Sequence, residues 1–197
     1  MKKRIILIGG GGHCRSCIDV IEQEGQFEIA GIVERPGNDE AGSLLEYPII
    51  GVDDDLSNLR KRFEYAIITV GQINNPETRI RLYELLKKLN FSLPVITSPT
   101  AYVCQRTSIK EGTIVMHHAL VNSGAAIGVN CIINTKALVE HDAVVEDHCH
   151  IATAAVINGG VRVGTGTFLG SNSVTKEYIS IGANSVIGCG TKINESI

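Results

Sequence analysis

The sequence predicts an α/β domain of the nucleotide-binding kind over residues 1–94, followed by an all-β solenoid of six-residue repeats over residues 95–197. Three observations carry this reading. A short apolar run enters four consecutive glycines and then a helical pattern, an aliphatic residue recurs at almost every sixth position from Ile109 to Ile193, and the chain has 21 glycines, 5% aromatic residues and no tryptophan. That composition is unusual for a thick globular core and natural for thin stacked layers.

The elements of the first half follow in order. Arg4 to Ile8 reads as a strand, Gly9 to Gly12 and His13 as a turn, Cys17 to Glu24 as a helix, and Ile29 to Val33 as a second strand. Strand, glycine turn, helix and strand make a Rossmann-like βαβ unit, whose turn lets backbone approach a phosphate and whose helix N-terminus favours negative charge. Gly10 and Gly12 are therefore candidate ligand contacts, and Glu34 sits about where a ribose-binding acid would. The dinucleotide pattern is incomplete because Cys14 stands where its third glycine belongs, which opposes an NAD site. A third strand, Tyr65 to Val70, precedes Gly71. Pro76 to Leu89 is an amphipathic helix with Leu82, Leu85, Leu86 and Leu89 on one face, and Pro94 to Thr107 links the two halves.

In the second half the aliphatic series runs Ile109, Val115, Val121, Ile127, Ile133, Val139, Val145, Ile151, Ile157, Val163 and Leu169, and only Thr175 breaks it before Ile181, Ile187 and Ile193. Four residues after each stands a mostly small residue, such as Ala119, Ala125, Cys131, Ala137, Ala143, Cys149 and Ala155. A helix needs a period near 3.6 and a strand a period of two, so this pattern fits neither. It fits a triangular prism in which each hexad makes one side, the aliphatic residue fills the interior, the small residue lets the chain turn, and three hexads close one coil.

Bulk properties exclude several functions. A formal net charge of -3 and a pI near 6.1 supply no basic field for a nucleic acid. No apolar stretch approaches the roughly 18 residues of a membrane span, so a soluble, cytoplasmic protein with no membrane partner is expected. The six cysteines are scattered and read as reduced thiols. Histidines at His117, His118, His148 and His150 raise the question of zinc, but Cys149 falls on an inward position, and no metal site is expected.

A Gly-Gly-His turn in a small βαβ domain, followed by hexads containing Asn134-Thr135 and Glu140-His141-Asp142, resembles one branch of the hexapeptide-repeat acyltransferases. That branch holds the nucleotide-sugar 4-amino N-acetyltransferases of bacillosamine, viosamine and perosamine type and the sialic acid O-acetyltransferases. The resemblance implies a left-handed parallel β-helix, acetyl-CoA as co-substrate, a nucleotide-sugar acceptor and a homotrimer with acetyl-CoA between neighbouring prisms. It also implies roles: His141 as general base, Asp142 or Glu140 fixing its tautomer, and His13 with Gly10, Gly12, Glu34, Gly71 and Asn134 on the substrate side. His150, Gly159 and Gly160 are placed with acetyl-CoA, since stacking by one coil sets Gly159 over His141. Gly71-Gln72-Ile73-Asn74-Asn75 is longer than the compact Gly-Asn-Asn of relatives.

The reaction so implied is acetylation of the 4-amino group of a UDP- or dTDP-linked amino-deoxy sugar in surface glycan biosynthesis. O-acetylation of sialic acid or a related nonulosonic acid is the second reading. A catalytically silent sugar-nucleotide-binding protein is the third.

Overall fold

The computed structural model describes residues 2–35, 37 and 42–197. The chain forms two compact units, Met1–Gly71 with Thr78–Pro94, and Gln72–Glu77 with Val95–Ile197. The short excursion Gln72–Glu77 therefore belongs with the second unit, whereas the sequence reading assigned it to the first. Among the described residues, no helix is long and apolar enough to cross a membrane.

The first unit is built on a sheet of order β3-β4-β2-β1-β5, with β1 at Lys3–Ile8, β2 at Phe27–Val33, β3 at Ser43–Leu44, β4 at Tyr47–Gly51 and β5 at Tyr65–Ile68. All neighbours pair in parallel except β3 with β4. Ile5, Ile6, Leu7 and Ile8 are fully buried, as expected for a central parallel strand covered on both faces. Strand order reverses at β1, which has β2 on one side and β5 on the other, and ligand crevices of open α/β sheets form at such a point.

Helix α1 spans Gly12–Glu24, so it starts five residues before the predicted Cys17. Gly11 is its N-cap, and Gly12 to Cys14 form its first turn, where intrahelical N–H bonds are absent in any helix and glycine costs little. Cys14 and Cys17 pack in the core beside Ile18 and Ile21. Burial pushes the Cys14 thiol up to about 11 and Cys17 higher still, so this pair is inert packing. The short helix α2 (Leu56–Leu59) and the β3–β4 hairpin carry no clear periodic signal and were not anticipated. Helix α3 covers Glu77–Lys88 and buries Leu82 and Leu86.

The second unit is a left-handed parallel β-helix of three sheets with six, five and six strands, each strand two residues long. Each strand pairs with the one a coil further on, as in Val121 with Val139, Ile127 with Val145 and Ile133 with Ile151. The aliphatic and small columns from Val115 to Leu169 are buried in one continuous core. Residues 94–107, expected from the sequence to form a linker, already contain strands of the prism at Ile96–Thr97 and Tyr102–Val103. Stepping back by six from Ile109 through Val103 to Thr97 keeps the phase; the polar Thr97 hides the signal.

The turning residue also differs from expectation. The small residues are interior, and the chain turns at the residue before each of them, which adopts a left-handed backbone at every sixth position from Gly112 to Gly190. Most of these corners carry glycine, Asn130, Asn172, Asn184, Asp142, His118 or His148, residue types that tolerate this region, while Lys136, Ala154 and Tyr178 occupy it without that advantage. Ala154, with φ at 56°, bears a Cβ that is strained there and has no polar group to compensate by a local hydrogen bond. Replacing Ala154 with glycine is expected to stabilise the protein by about 1 kcal/mol, a rise in Tm of about 2–4 °C. Calorimetry of the two proteins checks this, and an unchanged or lower Tm contradicts it.

Candidate active site

In the first unit, Gly9 enters the turn with φ at 103° and with Val70 against it, so that no Cβ fits. The Glu34 carboxylate closes the turn: one oxygen accepts the N–H of Gly10 at 2.8 Å and the other the N–H of Arg35 at 2.9 Å. The predicted ribose contact is thus engaged with its own backbone, and a Cβ on Gly10 would lie 2.5 Å from it. Space is open beside Gly11 and Gly12, while Gly71 faces the Cβ of His13 at 3.6 Å. Gly10, Gly12, His13 and Gly71 therefore gather where strand order reverses.

Two residues that sequence reasoning missed hold this edge. Buried Thr69 donates its hydroxyl to the carbonyl of Gly9 at 2.6 Å. Arg79, 1% exposed, donates to the carbonyls of Ile68 at 3.1 Å and Val70 at 2.6 Å. A guanidinium can be buried only where such acceptors surround it, and here they are the strand-end carbonyls leading to Gly71. The arginine at the third position of an otherwise amphipathic helix was the available signal.

In the second unit, His141 and Asp142 form one corner of the prism, Asp142 with φ at 59°. His141 Nδ1 lies 3.0 Å from Asp142 Oδ2, with the imidazole half exposed. An imidazole that donates its Nδ1 proton to a carboxylate carries its lone pair on Nε2. Gly159 stacks on that ring from the next coil: a Cβ there would lie 2.6 Å from His141 Nε2 and 2.7 Å from Cε1.

Glu140 does not meet the imidazole. Its Oε2 accepts the His141 backbone N–H at 3.0 Å and the Asn122 amide at 2.9 Å, which fixes the corner rather than the ring. The first of these bonds is the main reason its carboxyl is held below the ordinary value of 4.5.

His150 and Asn134 lie on a different face of the β-helix. Outward positions in register with His150, namely Ile132 and Phe168, are buried, and His150 itself is only 7% exposed. Asn134 accepts the Thr135 N–H through Oδ1, so its amide donates to His150 Nε2 at 3.0 Å. Nδ1 then donates to the carbonyl of Gln72 at 2.5 Å. The predicted acetyl-CoA contact at His150 and the predicted substrate contact at Asn134 are therefore occupied with each other and with Gln72. Gln72 is the main departure from the sequence reading; its amide reaches the carbonyls of His148 and Gly166.

Two further histidines have local partners, His117 Nδ1 with Ser98 at 2.7 Å and His148 Nδ1 with Asn130 at 3.0 Å, while the backbone N–H of His118 donates to the Thr100 hydroxyl at 3.3 Å. Cys149 points inward and donates to the carbonyl of Gly164 at 3.2 Å. A groove of about 210 Å³ on a neighbouring face, lined by Gly128, Lys110 and Glu146, contains none of the candidate residues.

Residues 4–86 match the PglD N-terminal domain. A perosamine N-acetyltransferase variant from Caulobacter crescentus, solved with CoA and GDP-perosamine, superposes with a TM-score of 0.91 at 29% identity, covering 98% of this chain and 89% of that one. The acetyltransferase domain of PglB from Neisseria gonorrhoeae FA1090 gives a TM-score of 0.91 at 27% identity, over 100% of this chain and 93% of its own. The same domain in complex with acetyl coenzyme A gives 0.87 at 26% identity, over 98% and 93%. In both halves, the chain carries the architecture of the nucleotide-sugar 4-amino N-acetyltransferase branch of the hexapeptide-repeat acyltransferases.

Proposed function

We propose that the protein transfers an acetyl group from acetyl-CoA to the 4-amino group of a nucleotide-linked amino-deoxy sugar, with His141 as general base. The observation that carries this is the corner itself: Nδ1 engaged by Asp142, Nε2 open, and a glycine stacked over Nε2. The sugar amine attacks the thioester carbonyl carbon and passes a proton to Nε2. The Gly159 N–H takes the oxyanion that forms, and Asp142 stabilises the imidazolium. Collapse of the intermediate breaks the carbon–sulfur bond, and the imidazolium returns the proton to the CoA thiolate.

In the first unit, the glycine turn and His13, with Gly71 opposite, hold the sugar nucleotide. The solved relatives support both substrates, since one is described with CoA and GDP-perosamine and another with acetyl coenzyme A. His150 is assigned a positioning role in place of a cofactor contact. Three copies are proposed to associate through the column Tyr102, Leu120, Leu138, Val156 and Val174, in register along one outer face and partly or well exposed.

A thiol-release assay with acetyl-CoA and GDP-, UDP- and dTDP-linked 4-amino sugars, beside free sialic acid, tests the reaction. One nucleotide sugar should be acetylated, His141→Ala should lower kcat by about 10²–10⁴-fold, and His13→Ala should raise the acceptor KM. Wild-type turnover in His141→Ala sinks the assignment of the base, and turnover of sialic acid alone sinks the acceptor. Gly159→Ala should abolish turnover with the circular dichroism spectrum preserved, because its methyl occupies the space of the imidazole edge; retained activity would show that the stacking is irrelevant. Light scattering should give three times the chain mass, and a stable monomer at micromolar concentration would refute the association.

A further inference from the structure

Thr175 is the single break in the inward aliphatic column between Ile109 and Ile193, and it is 2% exposed. Its effect is visible one coil back. In the same column, Cys104, Asn122, Glu140 and Lys176 each donate their backbone N–H to the carbonyl of Val121, Val139, Ile157 and Ile193 respectively. Asn158 does not. Its N–H goes to the Thr175 hydroxyl at 2.9 Å, and its side-chain amide takes the Thr175 carbonyl at 2.6 Å. The ladder between these strands keeps only the pair Val156 with Val174, so it opens at the residue leading into Gly159.

The diverted side chain has a second consequence. At equivalent corners, Asn122 and Asn134 turn their Oδ1 onto the next backbone N–H at 2.8 and 2.7 Å, and Glu140 does the same for His141. Asn158 makes no such bond to Gly159, and the Gly159 N–H has no acceptor among the described residues although Gly159 is buried. A buried N–H left unbonded is unfavourable and persists only when surrounding structure imposes it. Ladder irregularities of this kind recur beside active sites, where they re-aim a group.

We infer that Thr175 is a positioning residue: by capturing both polar groups of Asn158 it keeps the Gly159 N–H open beside His141 for the thioester oxygen. This deepens the acetyltransferase reading and rests on it. The residue touches neither substrate and acts through Asn158 and Gly159.

The test compares Thr175→Val with Thr175→Ser. Valine is near-isosteric and restores the aliphatic column, so Asn158 should rejoin the regular ladder and its Oδ1 should cap Gly159. Thr175→Val is expected to keep or raise Tm, to leave both KM values within about twofold, and to lower kcat by about ten- to a hundredfold. Thr175→Ser keeps the hydroxyl and should retain wild-type kcat. In the ligand-free protein, the Gly159 amide proton should move downfield in Thr175→Val as it gains an acceptor. Wild-type kcat in Thr175→Val, or an unmoved Gly159 resonance, overturns the inference. An inactive wild type would instead overturn the acetyltransferase reading, with the Gly159 resonance still deciding for or against the role of Thr175.

Discussion

The hydrogen-bond ladder between successive coils of the β-helix is the constraint on which the second unit depends. Each two-residue strand has room for little more than one N–H and one C=O toward each neighbour, so a coil must match the next residue for residue. That demand fixes the eighteen-residue register, and with it the left-handed corner every six residues. It also determines which side chains stack. Ser123, His141 and Gly159 share a corner because the ladder leaves them no alternative: the N–H of Asp142 must meet the carbonyl of Ser123, and the N–H of Gly160 that of His141.

The same constraint explains how legible the sequence was. Inward columns are written in residue type, because only aliphatic and small side chains fill the prism, and Gly159 over His141 follows from counting eighteen. Outward positions are written in nothing comparable. His141 and His150 both face away from the axis, yet one is half exposed and the other is sealed by Asn134 and Gln72. No local pattern separates them, because the difference is made by a segment far away in the chain. Glu34 and Glu140 are engaged elsewhere for a related reason. A carboxylate near a candidate site has ready partners in backbone N–H groups, and in both cases those came first. The β3–β4 hairpin and α2 were missed because neither has enough residues to show a period.

The two acidic neighbours of His141 divide the work by geometry. Glu140 stands before the corner and reaches backbone, while Asp142 stands in the corner, where the left-handed conformation turns its short carboxylate onto Nδ1. A left-handed position admits Asp or Asn far more readily than a longer or branched side chain. Backbone conformation thus favours a short polar residue as the partner of the imidazole, although Lys136 and Tyr178 show that equivalent corners also accept longer side chains.

The excursion of Gln72–Glu77 bears on modularity. Because this segment belongs with the β-helix while the residues on either side of it belong with the first unit, the polypeptide passes between the two at three places. The first unit is thus discontinuous in sequence, and a gene fragment ending at residue 94 would carry away a piece of the second. The β-helix left behind would lose Gln72 and with it the carbonyl that meets His150 Nδ1 in an otherwise apolar row. In this chain the boundary suggested by composition is not a seam at which recombination could exchange one half and leave the other whole.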